Sequence, residues 1–342
     1  ELKERNPDLH IPKHVLPDVP FVQILDPATG TGTFLIEVID LIHKTLESKW
    51  KAKGKSETEI DQLWSYYVPK HLLPRLFGFE LMMAPYVIAH MKISLKLAET
   101  RCYMSEVTKR AQIYLTNALE EPITFPLIET IMPALANEAE AANRIKANAP
   151  ITVVVGNPPY SGESKNKGKW IMSLMEDYKK EPGGTGKLKE RNSKFVNDDY
   201  VKFMRFAQHF IDKNKVGVSA YINNHGFLDN PTFRGMRWNL LKTSDEIYVV
   251  DLHGNSKKKE VCPDGSSDKN VFDIQPGVSI NFFIKTGKKP NNELGFVFHF
   301  DVFGLREKKY DLLISNSLST IKFSPAVPSA PEYFFDPKNL GD

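Results

Sequence analysis

Two short runs in this chain carry residue types that could do chemistry. The first is Asp26-Pro27-Ala28-Thr29-Gly30-Thr31-Gly32-Thr33-Phe34. Glycines two residues apart permit a tight turn and let a ligand come close to the backbone. A dinucleotide fingerprint would want a third glycine near position 35, where Leu35 stands, and Asp26 would set a negative charge against a pyrophosphate. A cationic ligand without phosphates suits the run better. S-adenosylmethionine carries an ammonium and a sulfonium, and its ribose hydroxyls want a carboxylate at the end of a second strand. Glu80, after the run Leu76 to Phe79, stands at that position.

The second run is Asn157-Pro158-Pro159-Tyr160. An exocyclic amine on a purine is a poor nucleophile because its lone pair is delocalised into the ring. Two acceptors gripping its hydrogens would favour the tetrahedral geometry needed to attack a methyl group on sulfur. The Asn157 side-chain oxygen and the Pro158 carbonyl can supply them. Proline after Asn157 biases it towards an extended conformation, and Pro158-Pro159 fixes φ while removing competing backbone donors. The acceptors are then aimed in advance. Asn157 is neutral, so it is not assigned as a general base. Tyr160 offers a flat face for a base taken out of a duplex, a stacking contact of about 1 to 3 kcal/mol that offsets a flipping cost of a few kcal/mol. The plainer reading of Tyr160 is a core tyrosine beneath the turn.

The elements that must position these runs alternate between short β-rich stretches and longer helical periodicity, the pattern of parallel strands with crossover helices. Phe21 to Leu25 is expected as the first strand, and Leu35, Val38, Ile39, Ile42 and Leu46 fall on one face of the following helix. Leu76 to Phe79, Ile113 to Leu115 and the buried run Thr152 to Val155 supply three more strands, with a helix from about Ala84 to Ala98. Val216 to Ile222, Ile247 to Leu252, Ser279 to Ile284 and Gly295 to Phe300 are further strands, preceded by a helix over Tyr200 to Asp212. Both chemical runs thus sit where doubly wound sheets bind ligands, at carboxyl ends of strands. Lys165 to Lys194 and Ser256 to Gln275 are expected as loops, and the sheet is expected to end near Lys289, before a proline-rich tail.

Composition narrows the partners. With 342 residues, 41% apolar and 25% charged, the chain can bury a sizeable core. No stretch approaches a bilayer span and Glu1 to Arg5 lacks the apolar core of a secretory signal, so a cytoplasmic protein is expected. Net charge is only +3, but Lys165 to Lys194 holds nine basic against four acidic residues and could follow a phosphate backbone. Its plainer reading is a solvated insertion. Cys102 and Cys262 lie far apart, the nine histidines show no ligand spacing along the chain, and no metal is expected. Gly183-Gly184-Thr185-Gly186-Lys187-Leu188 is not a P-loop, because the first glycine of that pattern would fall at Glu181 and Leu188 replaces the Ser or Thr. Asp301 with Glu307 and Lys309 has the residue types of a nuclease site but reads as solvated surface.

The two motifs together resemble the amino-methyltransferase family, and their order is similar to the gamma class of DNA N6-adenine methyltransferases. With Gln112 to Asn117 and Phe272 to Ile280, residues from about 20 to 290 look most like the methyltransferase region of the type ISP restriction-modification enzymes. The resemblance implies a Rossmann-like α/β fold with a mostly parallel, doubly wound sheet and an antiparallel last strand. It also implies S-adenosyl-L-methionine as cofactor, double-stranded DNA as partner, and a flipped-out adenine as methyl acceptor. By that resemblance Asp26 to Phe34 surround the methionine part, Glu80 holds the ribose, and Leu81 or Met82 lies near the adenine ring. Asn117 stands where the family often has Asp, and Phe272 is the candidate second wall of the base pocket. No counterpart of the family's upstream cofactor helix is evident in the twenty residues before Phe21. The implied division is a lead-in (1–20), a catalytic domain (21–289, with insertions at about 161–198 and 254–275), and a linker or start of a specificity domain (290–342). Helicase, nuclease and target-recognition modules would belong to a longer protein. The same tetrapeptide also suits cytosine N4, an RNA base or a protein glutamine, and a catalytically silent DNA-binding module remains the rival from a different class.

Overall fold

A computed structural model describes residues 20–102, 110–121, 133–160, 162, 164–189 and 194–337. Most of the expected lead-in lies outside the described residues. The chain divides into two compact units, the first ending at Gly156 and the second starting at Asn157.

The first unit is a parallel sheet with helices. Strands β1 (Ile24–Asp26), β2 (Leu76–Glu80), β3 (Gln112–Leu115) and β4 (Val153–Gly156) lie in the order β3-β2-β1-β4. Ile24 is in register with both Leu76 and Val153, and every pairing is parallel. Helix α1 (Thr33–Ala52) buries Leu35 and Ile39, two of the positions that the apolar periodicity marks. Helix α2 (Glu57–Tyr67) starts at a capping box, in which the Ser56 side chain accepts from Glu59 N while the Glu59 carboxylate accepts from Ser56 N. It delivers Trp64 to the core, where the indole N–H donates to Thr100 Oγ1 at 2.9 Å. Helices α3 (Met83–Glu99) and α4 (Pro133–Asn148) complete the unit. Ile24, Leu35, Trp64, Leu72, Ile93 and Ile113 belong to one apolar core.

The second unit is mixed. Its strands β5 (Gly217–Asn224), β6 (Glu246–Asp251), β7 (Val278–Lys285), β8 (Phe296–Asp301) and β9 (Ser324–Ala326) run in the order β5-β7-β6-β8-β9. β7 is antiparallel to both β5 and β6, β8 is parallel to β6, and β9 is antiparallel to β8. The fold is therefore the expected mixed α/β arrangement, mostly parallel and with antiparallel strands towards the end. Two local expectations change. The sheet does not end near Lys289: β8 and β9 extend it to Ala326, and Pro325 is accommodated because β9 is the edge strand. The tail after it is held in place, since Arg237 donates to the Glu332 carbonyl and Phe335 is fully buried.

The basic segment 165–194 is likewise more than a loop. It contains helix α5 (Lys169–Met175), which buries Ile171 and Met175 against helix α6 (Asp199–Asn214). Helix α6 is buried along most of its length because that segment supplies partners for its polar residues. Arg205 pairs with Asp177 at 2.9 Å and Gln208 accepts the Tyr178 hydroxyl at 2.9 Å. Lys165, Lys167 and Lys169 remain exposed. Helices α7 (Arg234–Thr243) and α8 (Arg306–Ser315) complete the unit. Among the described residues no helix is long and apolar enough to cross a membrane.

Candidate functional site

In the first unit the glycine turn joins β1 to α1. Gly30 and Gly32 have φ of 55° and 82°, left-handed values that favour glycine. Gly32 has a second reason: a Cβ there would stand 3.2 Å from that of Ala89 on α3. The turn is tied to the sheet through Thr29, whose N–H donates to the Phe79 carbonyl at 3.0 Å and whose hydroxyl donates to the Asp26 carbonyl at 2.9 Å. Asp26 is fully buried. One carboxylate oxygen accepts from Ala28 N at 3.1 Å, and the other has no hydrogen-bond partner among the described residues. Burial pushes this carboxyl up to about 7, against the Ala28 hydrogen bond and with a smaller push from the Glu80 charge.

Glu80 closes the turn from β2. Its carboxylate accepts from Gly30 N and from Met82 N, each at 2.8 Å. Leu81 and Met82 beside it are exposed, at 65% and 63%, which leaves two large apolar side chains next to a strand-end carboxylate. Asn117 reaches the same strand ends, because Thr116 N donates to the Glu80 carbonyl at 2.8 Å. Its side chain forms a local turn, accepting from Leu119 N at 3.0 Å and donating to Glu120 at 3.1 Å. Lys146 carries no signal in the spacing along the chain. This lysine of α4 is buried, donates to Thr116 Oγ1 and to the carbonyls of Asn117 and Glu120, and is lowered to about 8 by burial. The structure thus gathers Asp26, Thr29, Gly30, Gly32, Glu80 and Asn117 at the carboxyl ends of β1, β2 and β3.

The second unit begins with the tetrapeptide, directly after β4 in the chain. Asn157 and Pro159 are exposed, Pro158 is buried and Tyr160 is half-buried. The Tyr160 hydroxyl donates to Asn157 Oδ1 at 2.6 Å and lies 3.0 Å from the Ile222 carbonyl. Its ring meets Tyr200 edge-on, with centroids 6.2 Å apart, and burial holds the phenol above its usual range. Tyr160 is therefore partly the core tyrosine of the plainer reading, and its hydroxyl also orients the amide that precedes it. Phe272 is half-buried and packs, like Tyr160, against the cluster Val250, Leu252, Val271, Val278 and Val302. It lines a cavity of about 560 Å³ with Asn255, Asn270, Ile274 and Arg306, and Tyr160 lies outside that lining.

The histidines, which show no ligand spacing along the chain, do converge in space. His225 and His253 meet Asp251, and His299 meets Asp251 and Asp301. The nuclease-like grouping of Asp301, Glu307 and Lys309 disperses: Lys309 is fully buried and pairs with Asp268 at 2.8 Å.

A family model described as Eco57I restriction-modification methylase matches residues 76–258, more than half of the chain. No curated protein matches the chain. Three solved structures are similar over nearly all of it. The ATP-dependent type ISP restriction-modification enzyme LlaBIII bound to DNA matches with a TM-score of 0.73 at 24% identity, over 94% of this chain and 20% of that one. A nuclease-deletion mutant of the type ISP enzyme LlaGI with a DNA substrate mimic gives 0.71 at 22% identity, over 97% and 25%. A DrdV–DNA complex gives 0.69 at 24%, over 93% and 28%. These likenesses show a shared fold, and the chain spans between a fifth and somewhat over a quarter of those proteins. The family match covers Glu80, Asn117 and the whole Asn157–Tyr160 motif, and this chain belongs to the Eco57I restriction-modification methylase family.

Proposed function

We propose that this chain transfers a methyl group from S-adenosylmethionine to the N6 amine of an adenine in double-stranded DNA, as one part of a larger restriction-modification protein. The observation that carries the reading is the pairing of Asn157 with Tyr160, which presents a fixed, solvent-reaching amide beside buried Pro158. Asn157 Oδ1 has a second lone pair and the Pro158 carbonyl is a second acceptor. Together they grip the two amine hydrogens and favour the tetrahedral nitrogen. Tyr160 positions Asn157 and offers its ring to the flipped base, with Phe272 as the candidate second aromatic. No residue here needs to act as a base, since the amine proton is acidic once the nitrogen carries a fourth substituent.

The residues present suit the cofactor. Asp26 keeps a buried oxygen without a hydrogen-bond partner among the described residues, as a site for an ammonium requires. The turn from Pro27 to Phe34 supplies left-handed glycines that leave the backbone open to a close ligand. Glu80 would hold the ribose hydroxyls with its remaining lone pairs, Leu81 would flank the adenine, and Asn117 would face the same ring from β3. When bound, the cofactor supplies an electrophilic methyl on a sulfonium.

The test is calorimetric titration with S-adenosylhomocysteine, followed by tritiated methyl transfer to mixed-sequence DNA and identification of the labelled base. Label in N6-methyladenine is expected. Asn157→Ala should abolish transfer while binding stays within a few-fold. Label in N4-methylcytosine, in RNA or in a protein amide would replace the substrate, and full activity in Asn157→Ala would remove the mechanism.

A further inference from the structure

The carboxyl ends of β6 and β8 lie side by side in parallel register, with Asp251 opposite Asp301 and Val249 opposite His299. Side chains alternate along a strand, so His299 and Asp301, two residues apart, fall on the same face as Asp251. One ligand-type atom from each lies within 4.8 Å of the others, and His299 Nδ1 is 3.6 Å from Asp301 Oδ2. A metal about 2.1 Å from each of two ligands at a tetrahedral angle separates them by about 3.4 Å.

The decisive residue is His299. Its side chain is 1% exposed, and neither ring nitrogen has a hydrogen-bond partner among the described residues. A buried imidazole with both nitrogens unmet has lost hydration without replacement, and one of those nitrogens faces two carboxylates. Those carboxylates are already held from behind. Asp251 accepts from His225 Nδ1 at 3.0 Å and from the His253 backbone N–H at 2.9 Å. Asp301 meets His253 Nε2 at 2.7 Å, and His225 Nε2 meets the Asn255 amide at 3.1 Å. Outer partners of this kind orient carboxylate ligands around metals. Glu260 adds a third carboxylate, 3.9 Å from His225 and 4.0 Å from His253. Among the described residues no Lys or Arg pairs with any of the three, whose basic neighbours are all histidines.

We propose that His299, Asp301 and Asp251 bind a first-row divalent metal ion, with His225 and His253 holding the two carboxylates in place. One imidazole nitrogen with two carboxylate oxygens suits Zn²⁺ or Mn²⁺ rather than Mg²⁺ or Ca²⁺, which take oxygen ligands alone. The ion would tie β6 to β8 at the base of the loop 254–275 that carries Phe272. It is a structural site, separate from the tetrapeptide and its chemistry.

The experiment uses the full chain stripped with a chelator, titrated calorimetrically with ZnCl₂, MnCl₂ and MgCl₂, with thermal melts and the visible spectrum of bound Co²⁺. One equivalent of Zn²⁺ or Mn²⁺ is expected to bind, to raise the melting temperature, and to be insensitive to millimolar Mg²⁺. Asp301→Asn, at a half-exposed side chain, should weaken binding at least tenfold and cancel the thermal shift, as should His299→Gln. Asp264→Asn, on an exposed carboxylate elsewhere, should change neither. Absence of saturable binding to the parent chain, equal binding by folded Asp301→Asn, or a preference for Mg²⁺ would each overturn the proposal.

Discussion

Asp26 makes the cofactor reading sensitive to pH in a direction that can be worked out. Its carboxyl is buried and pushed up to about 7, with one oxygen that has no hydrogen-bond partner among the described residues. The free protein therefore holds a proton there at pH 6 and has mostly lost it at pH 8. An ammonium placed against that oxygen favours the carboxylate, so binding S-adenosylmethionine or S-adenosylhomocysteine expels the proton. With a free-state value near 7, the apparent Kd carries a factor of about 11 at pH 6 and about 1.1 at pH 8. The ratio is about tenfold, or about 1.4 kcal/mol. Calorimetric titration with S-adenosylhomocysteine in two buffers of different ionisation enthalpy should report release of about 0.9 proton at pH 6 and about 0.1 at pH 8. Asp26→Asn should bind more weakly at pH 8 and lose the dependence. The sign for stability is the reverse. A carboxyl raised in the folded state stabilises it below the unfolded value of about 4, and that contribution, at most about 4 kcal/mol, is lost as pH rises to about 7. Equal affinity at pH 6 and pH 8 without proton release would show that Asp26 does not meet a cation, and the assignment of the turn would fall with it.

Two further substitutions separate chemistry from scaffold. Tyr160→Phe keeps the aromatic face but removes the hydroxyl that donates to Asn157 Oδ1; one neutral hydrogen bond of about 1 kcal/mol predicts a roughly fivefold fall in kcat with unchanged S-adenosylhomocysteine affinity. An unaltered kcat would mean that the amide needs no such support. Arg237 is fully buried and donates to the carbonyls of Phe227, Asn230 and Glu332. Arg237→Met leaves these acceptors unmet and should cost about 3 kcal/mol or more, read as a lower denaturant midpoint with new proteolytic cleavage near residue 332; an unchanged midpoint would sink that account.

What the amino-acid pattern made legible, and what it hid, follows from the range of the interactions. Asp26, Gly30 and Gly32 could be placed because strand, turn and helix follow one another within a few residues and the turn chemistry is local, and Glu80 because it directly follows the apolar run of β2. Helix α2 is equally local, since Ser56 and Glu59 carry its capping box in the sequence itself. Helix α5 was hidden by composition, since its apolar residues Ile171 and Met175 sit among lysines and glycines that suggest a loop. The run Gly295 to Phe300 was legible as β8, whereas β9 was hidden by proline, which excludes a central strand but not the edge that β9 occupies. The orienting role of Tyr160 was half legible, because the spacing Asn157 to Tyr160 brings phenol and amide within reach but does not say that they bond.

The histidine cluster belongs to a different kind of information. His225 follows β5, Asp251 ends β6, and His299 and Asp301 end β8, so no spacing along the chain relates them. They meet because β7 pairs antiparallel with both β5 and β6, and β8 then joins β6 in parallel with Asp251 against Asp301. A one-residue slip of β8 would turn His299 and Asp301 to the opposite face and replace them with Phe298 and Phe300. The polar residues themselves oppose that slip poorly, since burying His299 without a hydrogen bond is costly. The apolar alternation of β8, with Val297 buried, does not explain that cost, and a bound cation that satisfies the imidazole and both carboxylates would make register and ligand set reinforce each other. Metal removal should then loosen β8 and β9 before the rest of the second unit, which hydrogen exchange on the stripped and Zn²⁺-loaded chain would resolve strand by strand.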